Sequence, residues 1–257
     1  WTLPLWMRDK GGVHAQGFER IFARFVDKVA RVLKGDIRFW ITVNEPEIYA
    51  LNSYFRGIWP PEKRGIVQFF RTTYALNRAH QEAYYALKRI NPSCQIGASL
   101  NMSYFESGGG PINGLLKRCA DKVWNRRFLW HIRRELDFIG LNYYFHNRIN
   151  YGFNKNRNER ISNMGWELYP AGIYHVLLDL RRYERPIFIT ENGLADARDV
   201  NRAWCIAVTL QNVARAIQKG ADVRGYFHWS LLDNFEWDKG FWPRFGLMEV
   251  DYKTLER

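Results

Sequence analysis

The sequence predicts one α/β domain built on a parallel sheet of about five strands, and three observations predict it. β-branched, nearly uninterrupted apolar runs alternate with segments whose apolar residues recur at helical spacing, with no linker between them. Two of those runs, Ile41-Thr42-Val43-Asn44-Glu45-Pro46 and Phe188-Ile189-Thr190-Glu191-Asn192-Gly193, each stop abruptly at a glutamate. The chain has 257 residues, 47% of them hydrophobic, enough for one large core.

Taken in order, the spacing predicts a helix over 17–34, with Phe18, Ile21, Phe22, Phe25, Val29 and Leu33 on its inward face. A strand follows over 37–44. A helix over 66–90 stops at Asn91-Pro92, because proline cannot propagate it. A short strand over 95–101 leads to glycine-rich loop material at Gly108-Gly109-Gly110-Pro111. Residues 112–135 read as mostly helical. The strand over 136–144 is almost continuously apolar, which suits a parallel strand covered on both faces. A polar loop is expected over 147–163, a short helix over 172–183 and a strand over 186–191. A helix over 201–219 turns Ile206, Leu210, Val213 and Ile217 inward and ends at Gly220, where a helix-terminating glycine belongs. The last strand is expected over 223–232. A closed (β/α)₈ barrel needs eight strands; the sequence supplies five.

The formal net charge of +12 raises the question of an anionic partner. The basic residues are spread, as in Arg20, Arg24, Lys28, Arg31 and Lys34 along one helix face, and the tightest group, Arg126-Arg127 with Arg133-Arg134, is short. A solvated basic surface is expected, with no specific nucleic-acid site. Cys94, Cys119 and Cys205 are far apart, so no disulfide framework or zinc site follows, and a reducing cytoplasm is the expected compartment. No apolar run approaches a membrane span, and no signal peptide is read in the sequence. His14, His80, His131, His146, His175 and His228 show no metal spacing; each is read as a surface residue or one with a satisfied hydrogen bond. No cofactor and no metal is expected.

A glutamate at the end of a buried strand is costly unless it has a task. Two of them at one rim of a parallel sheet match what glycoside hydrolysis requires, one carboxylic acid to protonate the leaving oxygen and one carboxylate to act from the other face. Aromatic residues reach 16%, and aromatic faces stack on sugar rings, although most of these rings belong to the core.

Four ordered motifs sharpen this: Thr42-Val43-Asn44-Glu45-Pro46; Asp137-Phe138-Ile139-Gly140-Leu141-Asn142-Tyr143-Tyr144; Ile189-Thr190-Glu191-Asn192-Gly193; and Trp229-Ser230-Leu231-Leu232-Asp233-Asn234-Phe235-Glu236-Trp237. Together with Trp166-Glu167, Tyr169-Pro170 and Arg244-Phe245-Gly246-Leu247, the set resembles glycoside hydrolase family 1, the β-glucosidase and β-galactosidase family, over essentially the whole chain. The resemblance implies a single domain over 1–257, an incomplete (β/α)₈ TIM barrel with about five parallel strands equivalent to the family's fourth to eighth. It implies Glu45 as acid/base, Glu191 as the nucleophile of a retaining mechanism and Tyr144 as the residue that orients it. It implies sugar contacts for Asn44, Asn142, Trp229, Glu236, Trp237 and Trp1, and a cis bond after Trp229. A carboxylate at Glu236 repels phosphate, so unphosphorylated β-glucosides and β-galactosides are the expected substrates. The family's first two strands have no counterpart here, nor do a glutamine, a histidine and an arginine of its sugar site. Reduced rate and broad specificity are therefore expected, with a homodimer covering the open side of the sheet. A non-catalytic sugar-binding remnant and a polyanion-binding basic protein are the alternatives.

Overall fold

The structure, a computed structural model, describes residues 2–33 and 35–257. The elements are α1 (Leu5–Asp9), a 3₁₀ turn, α2 (Phe18–Leu33), β1 (Phe39–Asn44), α3 (Pro46–Ala50) running into a π-type turn (Leu51–Phe55), and α4 (Ile66–Ile90). β2 (Gln95–Ser107), α5 (Gly110–Asp121), a π-type turn (Lys122–Arg126), α6 (Arg127–Ile132) and β3 (Phe138–Ile149) follow. The chain then runs through α7 (Gly172–Leu180), β4 (Ile187–Asn192), α8 (Arg202–Gln218) and β5 (Val223–His228). The strands lie in one sheet in chain order, β1-β2-β3-β4-β5, and the β1–β2 and β4–β5 pairs are parallel. The fold is the expected incomplete (β/α)₈ barrel with five parallel strands.

The described chain comprises two compact units. In the first, Trp1–Asn101 with Arg126–Gly140, α2 packs on α4. Val26, Ala30, Ala83, Leu87, Cys94 and Ile96 form one cluster there, and Met7, Val13, Phe18, Tyr54 and Ala79 another. Gly97 is required on β2, because a Cβ there would lie 2.6 Å from the Phe138 ring. In the second unit, Met102–Asn125 with Leu141–Arg257, α7 packs on α8, with Ile173, Leu177 and Val213 among the buried residues.

Several expectations are corrected. Phe25 is 63% exposed and Val26 and Ala30 are buried in its place, because the core-facing row of α2 steps by four through 18, 22, 26 and 30. On α8, Leu210 and Ile217 face solvent; the buried row is Arg202, Cys205, Thr209, Asn212, Val213 and Ala216. That row mixes polar and apolar residues because Arg202 and Asn212 meet backbone carbonyls there. β2 runs on to Ser107, because the Asn125 carboxamide satisfies both the N–H and the C=O of Ser103 and makes a polar stretch tolerable inside. β3 likewise runs to Ile149, into the stretch expected to be loop. The expected helix over 112–135 is α5, a π-type turn and α6. The last strand stops at His228; beyond it only an isolated bridge joins Leu232 to Met248. The helix at Pro46–Ala50 was not expected.

Candidate active site

In the first unit, Glu45 follows β1 directly. Its N–H donates to Ser99 O at 2.7 Å, and a register shift between Ile41 and Asn44 marks the strand's end. Its backbone is left-handed (φ 45°), a conformation that costs a non-glycine residue energy and sends the chain straight into α3. The side chain is 8% exposed, and Asn101 Nδ2 donates to Glu45 Oε1 at 2.9 Å. Glu47 is buried two residues on, and its Oε2 has no hydrogen-bond partner among the described residues. Burial, reinforced by the charge of Glu45, pushes the Glu47 carboxyl well above the usual range. Asn44 is exposed. Behind the strand, His80 Nε2 donates to Glu135 O at 2.6 Å; its Nδ1 therefore accepts from the Thr42 hydroxyl, also at 2.6 Å. Burial holds His80 neutral down to a pKa of about 4.

In the second unit, Glu191 lies within β4 and is half-buried. The Tyr144 hydroxyl donates to Glu191 Oε2 at 3.0 Å. The neighbours of Glu191 along the strand are fixed by uncharged groups. Thr190 Oγ1 donates to Asn142 Oδ1 at 2.7 Å, Asn192 Nδ2 donates to Tyr143 O at 2.6 Å, and the Tyr226 hydroxyl donates to Asn192 Oδ1 at 2.9 Å. Gly193 has no alternative, since a Cβ there would overlap the Trp229 carbonyl oxygen. Arg202, 6% exposed, donates to the carbonyls of Leu194, Asp196, Arg244 and Phe245 and ties the loop after β4 to the loop at 244–245.

The Trp229–Ser230 bond is cis, as expected. Glu236 accepts from Asn234 Nδ2 at 2.8 Å and from Trp229. Burial raises the Glu236 carboxyl above its usual range, opposed by those two donors. Trp237, 44% exposed, stands at the start of a 3₁₀ turn. Asp233 closes the segment, accepting from Gly246 N and Val250 N and pairing with Arg244 at 2.9 Å.

Tyr144, Glu191 and Asn142 are thus gathered around β3 and β4, and Trp229 meets Glu236 on the segment after β5. Glu45 has Asn101 beside it. Trp1 lies outside the described residues. The sequence reading gave no role to Asn101, Thr190, Asn192, Asn234 or Arg202; Asn101 stands last in the strand read over 95–101, and that position was the available signal. His228 departs from the histidine expectation: both its ring nitrogens are buried without a hydrogen-bond partner among the described residues, and burial lowers its pKa to about 4. Among the described residues no group of His, Cys, Asp and Glu is arranged to hold a metal ion, and no helix is long and apolar enough to cross a membrane.

The family model "Glycosyl hydrolase family 1" matches residues 1–111 and 125–257. The unmatched gap falls in the stretch between the second and third strands. A 1,4-beta-D-glucan glucohydrolase of Thermotoga neapolitana is 30% identical, covering 100% of this chain and 72% of its own length. A beta-galactosidase of Sulfolobus acidocaldarius is 32% identical, covering 99% of this chain and 61% of its own. Among solved structures, a beta-glycosidase from Pyrococcus horikoshii superposes with a TM-score of 0.91 at 36% identity, over 99% of this chain and 66% of that one. A family 1 β-glucosidase from Thermotoga maritima in complex with isofagomine lactam gives 0.93 at 29% identity, over 100% of this chain and 69% of that one. The chain thus spans about two thirds of the length of the relatives it matches.

Proposed function

The chain belongs to glycosyl hydrolase family 1, and from that premise we propose that it is a retaining β-glycosidase acting on unphosphorylated β-glucosides and β-galactosides. Glu191 attacks the anomeric carbon as a carboxylate, and Glu45 passes its proton to the leaving oxygen as the glycosidic bond breaks. The result is a glycosyl ester on Glu191, a free aglycone alcohol and an ionised Glu45. Glu45 then takes a proton from water, whose oxygen attacks the anomeric carbon and releases Glu191. The sugar leaves with its β configuration, and Glu45 is again protonated.

What supports the reading is the Tyr144 hydroxyl on the Glu191 carboxylate at 3.0 Å. A donor to one oxygen stabilises the charged form and fixes the direction of the other. Asn44 is assigned the sugar 2-hydroxyl, Asn142 and Trp229 the glycone, and Glu236 with Trp237 the hydroxyls at the far side of the ring. Glu236, half-buried and accepting from two neighbours, offers a phosphate only repulsion. For these residues on their own, lacking counterparts to a third of the relatives' length, we propose slower turnover and looser specificity than a full-length relative shows.

The test is hydrolysis of an aryl β-glucoside followed by proton NMR. The reading expects the β anomer as the first sugar formed, and loss of the signal in Glu191→Ala. Release of the α anomer, or binding without turnover by folded protein, contradicts it.

A further inference from the structure

One buried constellation in the second unit has no part in the scheme above. His146, on β3 two residues beyond Tyr144, is 6% exposed and lies between two carboxylates. Its Nδ1 meets Glu167 Oε2 in a short contact, and its Nε2 meets Glu106 Oε2 at 3.1 Å. Each ring nitrogen thus faces a carboxylate oxygen. The Tyr169 ring stacks on the imidazole with centroids 4.0 Å apart, closing it from water. The other oxygen of Glu167 accepts from Asn158 N–H at 2.9 Å, and the His146 carbonyl accepts from Asn156 Nδ2 at 2.8 Å. The segment from Asn156 to Glu167 is thus pinned to the last residues of β3 at two places: at Asn156, which bonds the His146 carbonyl and accepts from Arg148 N–H at 2.6 Å, and at Glu167, where the tie to β3 is the His146 ring.

Trp166 is the residue just before the clamped glutamate. Its ring lies against Tyr144 (centroids 5.7 Å, edge-on) and Phe145 (4.8 Å). Tyr144 is the residue that donates to Glu191. A contact chain thus runs from Glu106 through His146, Glu167 and Trp166 to Tyr144 and Glu191. Without its imidazole partner, Glu167 would be a buried carboxylate held, among the described residues, by one backbone N–H, a costly arrangement that the loop would relieve by moving outward and taking Trp166 with it.

We propose that His146 is a positioning residue: held between Glu106 and Glu167, it keeps Trp166 seated on Tyr144 and so fixes the carboxylate that Tyr144 orients. The consequence for the reaction rests on Glu191 being the nucleophile; the seating of Trp166 does not.

The two nitrogens give the test a direction. In His146→Asn the side-chain amide stands near the former Nδ1 and still reaches Glu167. In His146→Gln it stands near the former Nε2 and serves Glu106. His146→Leu removes both. Hydrogen exchange of residues 158–168 reads the clamp, and the rate at which a 2-deoxy-2-fluoro β-glucoside labels Glu191 reads its effect on the nucleophile. Exchange is expected to rise about tenfold in His146→Leu and His146→Gln, with labelling slowed about tenfold, and both to be restored within about threefold in His146→Asn. Should His146→Leu not fold, Glu167→Gln, which keeps the shape and loses the charge, is expected to move both readouts the same way. Unchanged exchange, glutamine rescuing as well as asparagine, or faster exchange with unaltered labelling overturns the proposal. If the wild type takes no label at all, the glycosidase reading fails, while the exchange data still decide the clamp.

Discussion

At the end of β1, Glu45 is almost wholly enclosed, set in left-handed backbone and held by an asparagine amide. Within β4, Glu191 is half-open and held by a tyrosine hydroxyl. The difference follows the roles proposed for them. A general acid benefits from surroundings that penalise charge, and Glu45 is 8% exposed. A nucleophile must stay ionised and reach a substrate, so exposure and an O–H donor suit it. The supports differ too. The β1 exit leans on a titratable group, His80, through Thr42, whereas β4 leans on the amides of Asn142 and Asn192 and on two tyrosines. The acid's end of the sheet should therefore respond to pH where the nucleophile's end does not.

The largest expected effect is on turnover. Glu191→Ala should lower kcat/KM for an aryl β-glucoside by roughly 10⁴-fold or more, since the covalent route has no substitute. Glu45→Ala should cost about 10²–10⁴-fold with an alkyl leaving group and far less with a nitrophenolate, which needs no proton. Equal losses with both leaving groups would break the assignment of roles.

The next effect separates the two holding groups. Tyr144→Phe should slow labelling of Glu191 roughly 10–100-fold, as a hydrogen bond to a charged group is worth about 1.5–3 kcal/mol. Asn101→Ala removes an N–H donor that favours ionised Glu45. The basic limb of the kcat/KM profile should then move to higher pH. Movement of that limb in Tyr144→Phe and not in Asn101→Ala would invert the comparison.

A third effect is on stability. Unfolded His80 takes up a proton near pH 6.5, and folded His80 refuses it down to about 4. The stability this allows is fully present above pH 6.5 and is lost as pH falls toward 4, in total about 3 kcal/mol for the buried ring. Protection factors over 39–44, corrected for the intrinsic pH dependence of exchange, should fall across that window more than those over 187–192, and His80→Gln should flatten the dependence. His228, lowered as well but partly exposed and with neither ring nitrogen hydrogen-bonded among the described residues, should add less. The smallest effect is at Glu236. Glu236→Gln should raise KM by about tenfold with kcat nearly kept, as expected for loss of uniform binding.

The ends of β1 and β4 were legible because β-branched runs that stop at Glu45 and Glu191 carry both a strand signal and a chemical anomaly at one position, whereas Tyr144 and Trp229 stood out only through the family motifs. The helix faces were less so. The apolar residues of α2 and α8 outnumber what the core uses, and the buried row of α8 includes Arg202, whose carbonyl partners 244 and 245 lie far along the chain. The clamp at His146 left no trace in spacing, because its carboxylates come from β2 and from the segment before α7. The length of β2 was hidden for a similar reason: the chain beyond Asn101 reads as a way into loop, and only the folded chain supplies the Asn125 carboxamide that lets Ser103 lie inside.

The central claim is that Glu191 becomes covalently bonded to the sugar. Incubation with a 2-deoxy-2-fluoro β-glucoside bearing a good leaving group, followed by intact-mass measurement and peptide mapping, tests it directly. The account predicts one fluoroglucosyl adduct per chain, on Glu191, that slowly clears as the ester hydrolyses. An unlabelled folded protein, or an adduct on any other residue, contradicts it.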